Sequence, residues 1–364
     1  SGGSVYATGY FHSIGGKRRD FLGAVDAVTG EVTAWDPKAS KRGRFMTASE
    51  GTVYVGGQFT SVGGSARDRL AAIDTATGEL TAWNPGADAR VETLEVAGDT
   101  VYVGGDFTII DGLPRTRLAS IDAMTGVANA WAPDADGTVT NIAVGDDTVY
   151  VGGDFGMAGG QVRNRLAAFD ATSGLVTDWN PDASWDVFAI AVSGETVYIG
   201  GDFQTIGGQT RPNLAEVDRV TGALTAWAPD RRSAVYDIKP MAGNALYLGG
   251  SFSFEFGPLS SGIALYDTVS AEVTDLGPGP NGLVESLALS GNTIYFGGFF
   301  TRVVSESRSN LGGQNLITGS ATSFGGWLYG TPLSLIATDS VVYVAGRFPR
   351  IHYEGSSYIA AVPR

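Results

Sequence analysis

The stretch VYVGGDFTIIDGLPRTRLASIDAMTG, Val101–Gly126, is nearly restated from Val149 and again from Val197. It opens on an apolar run with a tyrosine and a double glycine, and closes with an apolar run ending in aspartate and a Thr-Gly pair. β-branched and aromatic residues favour a pleated, half-buried strand, while Gly, Asp and Asn favour tight turns. Aligned on Tyr-x-x-Gly, the chain repeats at Tyr6, Tyr54, Tyr102, Tyr150, Tyr198, Tyr247, Tyr295 and Tyr343. Every interval is 48 residues except that from Tyr198 to Tyr247, which is 49.

Strand-rich repetition at a period of about 50 residues means an all-β propeller before any other fold. Each unit reads as four antiparallel strands. In the fourth unit these are Val139–Val144, then TVYVGGDF, then LAAFD after the long loop GMAGGQVRNR, then LVTDW. The expected architecture is a single propeller domain over residues 1–364, with eight blades of four strands and one strand missing from each terminal blade. The alternative is a seven-bladed ring in which Val32–Trp35 completes the last blade.

Composition bounds the function. Of 364 residues 53 are glycine and only 17% are charged, which suits short strands and turns better than long helices. No window of 18 apolar residues marks a membrane span, and no signal peptide is present in the sequence as given. A net charge of −14 repels phosphate backbones, so nucleic acid is not an expected partner. The absence of cysteine removes disulfides, thiolate catalysis and zinc–thiolate sites. The acidic, lysine-poor composition fits an exported bacterial protein, placed outside the cell or at its surface.

The combination NPGAD, VYVGGDFT and GG..R.RLA.ID resembles the delta-60 repeat group of bacterial β-propellers, a family of largely unassigned function. The likeness runs over nearly the whole chain and weakens in the last three units, where Gly262, Gly313 and Ser357 stand before the third strand. It implies a secreted or surface-exposed propeller and no particular activity. More narrowly, AVDAVTGEVTAW (Ala24–Trp35) is similar to the tryptophan-docking motif of quinoprotein propellers. A quinone enzyme is disfavoured, because cysteine is missing and the tryptophan has a scaffold explanation; no cofactor is expected.

Residues that recur in every unit serve first as scaffold. Asp26, Asp74, Asp122, Asp170, Asp218 and Asp267 open turns whose backbone amides a carboxylate can accept. Gly104 and Gly105, with their copies, imply close approach by a neighbour, and Trp35, Trp83, Trp131, Trp179 and Trp227 are expected to fill that space. Arg67, Arg115, Arg163 and Arg211 are expected to tie to Asp106, Asp154 and Asp202.

Scaffold demands are the same in each unit, so residues that differ between units are free to serve function. The loops joining a fourth strand to the next first strand carry Lys38, Lys41, Arg42, Arg44, Arg90, Trp185, Arg231, Arg232, Trp327 and Tyr329. Gathered at one mouth of the channel, the arginines and aromatic residues would suit a glycan or protein ligand. Asp134 and Asp136 form a faint calcium-like pair, far short of a ligand set. His12 and His352, the two histidines, fall in matching loops of the first and last units; His352 joins the candidate site. Phe254 and Phe256 are additions of the sixth unit, read as filling a gap there. No nucleophile elbow, zinc-protease motif or phosphate loop is visible, so a binding protein is preferred to a polysaccharide lyase or hydrolase. A strand donated by another chain to the open first blade is a further expected partner.

Overall fold

The computed structural model describes residues 4–9, 11–14, 17–26, 31–229, 233–241, 244–251, 262–270, 273–274, 279–337, 341–351 and 359–363. Its described elements are all β-strands, and they form the blades of a β-propeller. Three strands recur in each complete repeat. In the third repeat they are β1 (Val91–Ala97), β2 (Thr100–Gly105) and β3 (Leu118–Asp122), hydrogen-bonded in that order and antiparallel. A two-residue turn joins β1 to β2, with Gly98 at φ 55°, a value that favours glycine and matches the twist of a hairpin. First strands of consecutive repeats lie beside one another and so form the inner wall.

The expected fourth strand is pared to one bridging residue in the regular repeats. Leu80 pairs with Ile73, Ala128 with Ile121, Val176 with Phe169 and Leu224 with Val217. After that bridge the chain leaves the sheet to seat its tryptophan in the next repeat. Trp83 Nε1 donates to Asp122 O at 2.9 Å, and Trp35, Trp131, Trp179 and Trp227 make the same bond one repeat on. The tyrosine strand contributes to the same joint, with Tyr54 OH donating to Ala123 O at 2.7 Å and its ring edge-on to Trp83. The docking expected from the quinoprotein-like motif is therefore a joint between repeats.

The tryptophans do not fill the space over the double glycines, which corrects that expectation. A Cβ on Gly104 would lie 2.7 Å from Val139 Cγ1 of the next first strand, and one on Gly200 the same distance from Val235 Cγ1. A Cβ on Gly105 would strike the backbone carbonyl of Arg90 in its own sheet. The indole of Trp83 packs instead on Gly126 of the next repeat's turn.

The arginines also differ from expectation. Arg115 donates to Pro114 O and to Asn129 O, and Arg67 and Arg163 grip the matching carbonyls, so these side chains clamp backbone and not Asp106 or Asp154. A planar fork reaches two peptide oxygens at once, one in the small hairpin and one in the departing fourth-strand segment. The residue before each third strand is left-handed: Arg69, Arg117, Arg165, Asn213, Gly262 and Asn310 all have positive φ. Asn310 holds that place in the seventh repeat, not Gly313, which pairs with Tyr295 inside the strand. Ser357 lies outside the described residues.

In the first repeat Val32 bridges Val25 and Trp35 docks on the second repeat, so this unit is built as the others are. Its tyrosine strand, Ser4–Thr8, pairs with Leu22–Asp26 on one side only among the described residues. It lies close to Gly43–Ser49 of the second repeat and to Val341–Ile351 of the last, which brings the two ends of the chain together. The last two repeats share one sheet through the long strand Ala321–Ala337.

Candidate functional site

One face of the protein is set by paired loops. The long loop after each tyrosine strand folds into a small hairpin, such as Ile109–Ile110 with Leu113–Pro114, and the loop entering each first strand bridges to it. One small polar side chain per repeat caps this clasp. Asp88 accepts from Thr108 N and Ile109 N, Ser40 from Thr60 N and Ser61 N, and Asn281 from Thr301 N and Arg302 N. Asp136 does the same for Gly156 N and Met157 N, which corrects its reading as half of a calcium-like pair. Hydrogen bonds from those amides hold Asp136 below the usual carboxylate range.

The variable positions converge one step inward. Each first strand carries a bulge just after its entry, because the tightly packed second glycine of the partner strand shifts the register by one residue. The bulged residues are Arg44, Glu92, Thr140, Phe188, Tyr236 and Glu285, a different side chain at one repeated geometry. Bulges re-aim side chains, and these meet across consecutive inner strands. Arg44 binds Glu92 through Nε at 2.7 Å and a second nitrogen at 3.1 Å. Phe188 and Tyr236 stack, their centroids 5.1 Å apart and planes 18° from parallel. Both rings are half-buried, and burial pushes the Tyr236 hydroxyl up from its ordinary value, aided by Asp202 and Glu285.

Two arginines of the mouth, Arg44 and Arg90, are committed to acids. Arg90 reaches Glu92 at 3.4 Å and donates through Nε to Asp106 at 2.7 Å, and Asp106 also accepts from Thr138. Burial alone would raise Asp106, but the bonds from Thr138 and Arg90 outweigh it and hold the carboxyl low. The chain Arg44–Glu92–Arg90–Asp106 carries two positive and two negative groups and is internally neutral. The backbone carbonyl of Arg42 accepts from Gln58 N.

Trp185 stands where the sequence placed it, in the loop before the Phe188 strand. It is 55% exposed with the Arg165 guanidinium 5.4 Å from its ring centre, an arrangement that keeps a large apolar face in water. Trp327 and Tyr329 were expected in a loop, yet their backbones lie in the long strand, opposite Asn310 and Arg350. The other entering loops hold an early proline that stops a strand, Pro37, Pro85, Pro133, Pro181, Pro229 and Pro278, whereas Pro332 comes only after Tyr329. Nothing is described of those two side chains. Arg231, Arg232, His352, Phe254 and Phe256 lie outside the described residues. His12 is exposed and its Nδ1 lies 2.8 Å from Asp20 Oδ1, beside Phe21.

Phe188 and Tyr236 were missed by the sequence reading. Their signal is the residue after the aligned valine, in RVETL, TVTNI, DVFAI, AVYDI and LVESL. It varies while the valine before it does not.

No protein-family model and no curated protein matches the chain. Solved structures share its fold. A computationally designed protein, Ika8, is 15% identical at a TM-score of 0.66, with 100% of this chain and 94% of that one covered. BamB from Moraxella catarrhalis is 13% identical at a TM-score of 0.54, over 88% of this chain and 87% of its own. The WD40 β-propeller domain of Doa1 is 11% identical at a TM-score of 0.54, over 90% and 93%.

Proposed function

We propose that this protein is a secreted or surface-exposed binding propeller that takes a carbohydrate on an aromatic arc at the channel mouth, formed by Trp185, Phe188 and Tyr236. The observation that carries this reading is the stacked, half-buried pair Phe188 and Tyr236 at the bulge positions. Sugar rings present C–H faces that pack on aromatic faces, while their hydroxyls bond to polar groups at the edge. Thr140 and Glu285 stand on either side of the pair in the order of the bulges and supply such groups. The neutralised arginine chain favours a neutral glycan over an acidic one.

A glycan array tests the proposal. Wild-type protein should retain at least one neutral glycan, and Phe188→Ala, Tyr236→Ala and Trp185→Ala should each weaken it by about tenfold, the loss of roughly 1.4 kcal/mol of contact. Thermal unfolding should show the fold intact in all three. Retention by protein with both Phe188 and Tyr236 removed would refute the site. Breakdown of the retained glycan over time would move the reading to a polysaccharide-acting enzyme.

A further inference from the structure

The opposite face, where the first strands turn back into the tyrosine strands, is regular except between the fifth and sixth repeats. Every tyrosine of the series sits across from a third-strand residue in register. Ala24 faces Tyr6, Ala72 faces Tyr54, Ser120 faces Tyr102, Ala168 faces Tyr150 and Leu265 faces Tyr247. Opposite Tyr198 alone stands a carboxylate, Glu216. The single interval of 49 residues falls in the same place. In the fifth repeat Ser193 pairs with Thr196 across a two-residue turn, whereas in the sixth Met241 pairs with Ala245, one residue further apart, and Asn244 is left-handed.

Both departures line one cleft of about 360 Å³, whose walls include Thr196, Tyr198, Glu216, Met241, Ala245 and Thr268. Glu216 is 7% exposed, and its Oε2 has no hydrogen-bond partner. Burial raises the carboxyl above its ordinary pKa, although Thr225 and Tyr198 hydroxyls donate toward it. A buried acceptor left open costs stability unless something donates to it. The scaffold does not need this one, since alanine serves the same position in four other repeats.

We propose that this cleft binds a primary ammonium group carried on a short alkyl stem, with Glu216 as its anionic partner. A carboxylate oxygen accepts only, so the missing partner is a donor, and a charged donor makes the stronger bond. One open oxygen suits an ammonium; a guanidinium uses both oxygens in parallel, and here hydroxyls already occupy part of the group. Pro240, Met241 and Ala245 offer the apolar wall that an alkyl stem needs. The neighbouring cations Arg219 and Lys239 are held by Asp146 and Glu195 and by Asp237. A volume near the low end for ligand sites limits the occupant to a small group. It belongs either to a free amine or to a lysine side chain.

The probes are butylammonium chloride, 1-butanol and a blocked Gly-Lys-Gly peptide, titrated into the full chain and followed by amide NMR. Saturable shifts at Thr196, Asn244 and Thr268 are expected with butylammonium, at a Kd on the order of 1 mM, and not with 1-butanol. Tighter binding of the peptide would mark a lysine side chain as the source, and weaker binding a free amine; either supports the site. Glu216→Gln should weaken both by at least about tenfold. Glu216→Ala should abolish binding and raise the unfolding midpoint, because it restores the residue other repeats use. Equal binding of 1-butanol, no saturable shift, or an unfolding midpoint lowered by Glu216→Ala would each overturn the proposal.

Discussion

Trp83 is held from three sides: its Nε1 donates to Asp122 O, its ring meets Tyr54 edge-on at 5.4 Å, and Gly126 packs against its Cδ1 edge. Its exposure is 1%. Replacing it with alanine should cost about 3–5 kcal/mol in urea unfolding, since the joint between two rigid sheets cannot close over the hole. A loss below about 1 kcal/mol would mean the repeats are joined by other contacts. At this scale the sequence revealed which residues repeat but not what each one meets. Trp83 and Asp122 are 39 residues apart, and a linear reading pairs a tryptophan with the nearest gap, the double glycine. Unlike charges likewise pair Arg115 with an aspartate on paper, whereas its guanidinium satisfies one carbonyl of the hairpin and one of the departing fourth-strand segment.

The tyrosine strand shows how two adjacent glycines serve different neighbours. Gly104 yields to the side chain of Val139, whereas Gly105 yields to the backbone of Arg90. Alanine at Gly104 should cost about 1–3 kcal/mol, and shortening the partner, Val139→Ala, should recover part of it. Alanine at Gly105 should cost more, and no side-chain truncation should restore it, because a carbonyl cannot be trimmed. Equal rescue of both variants in denaturant titrations would refute this division. The same contact explains why the candidate site was half legible. The loop residue Trp185 stood out as an irregular letter in a repeated phrase. Phe188 and Tyr236 did not, because strand residues that alternate apolar and polar pass for ordinary wall. Only the bulge that Gly105 and its copies impose turns that one position toward its neighbour.

Across the whole molecule, pH acts on two opposed sets of charges. The turn carboxyls of Asp74, Asp122, Asp170, Asp218 and Asp267 are all held below the ordinary aspartate value, chiefly by backbone amide and hydroxyl donors of their own turns. Folded values below unfolded ones give stability that is complete above the unfolded pKa of about 3.9 and is lost as pH falls through the folded pKa. Against this runs the net charge of −14, whose self-repulsion fades as pH approaches the isoelectric point near 4.5. Glu95 and Glu216, raised by desolvation, act in the same sense as the fading repulsion. The unfolding midpoint should therefore rise gently from about pH 7 to about pH 5 and drop steeply below about pH 4. Salt should raise the midpoint at the neutral end, where it screens the repulsion, and change it little near the isoelectric point. Asp122→Asn keeps an acceptor in the turn but removes its charge, so its deficit against wild type should shrink as the pH falls below about 4. A deficit that stays constant with pH would show that the turns depend on the shape of the aspartate side chain and not on its ionisation.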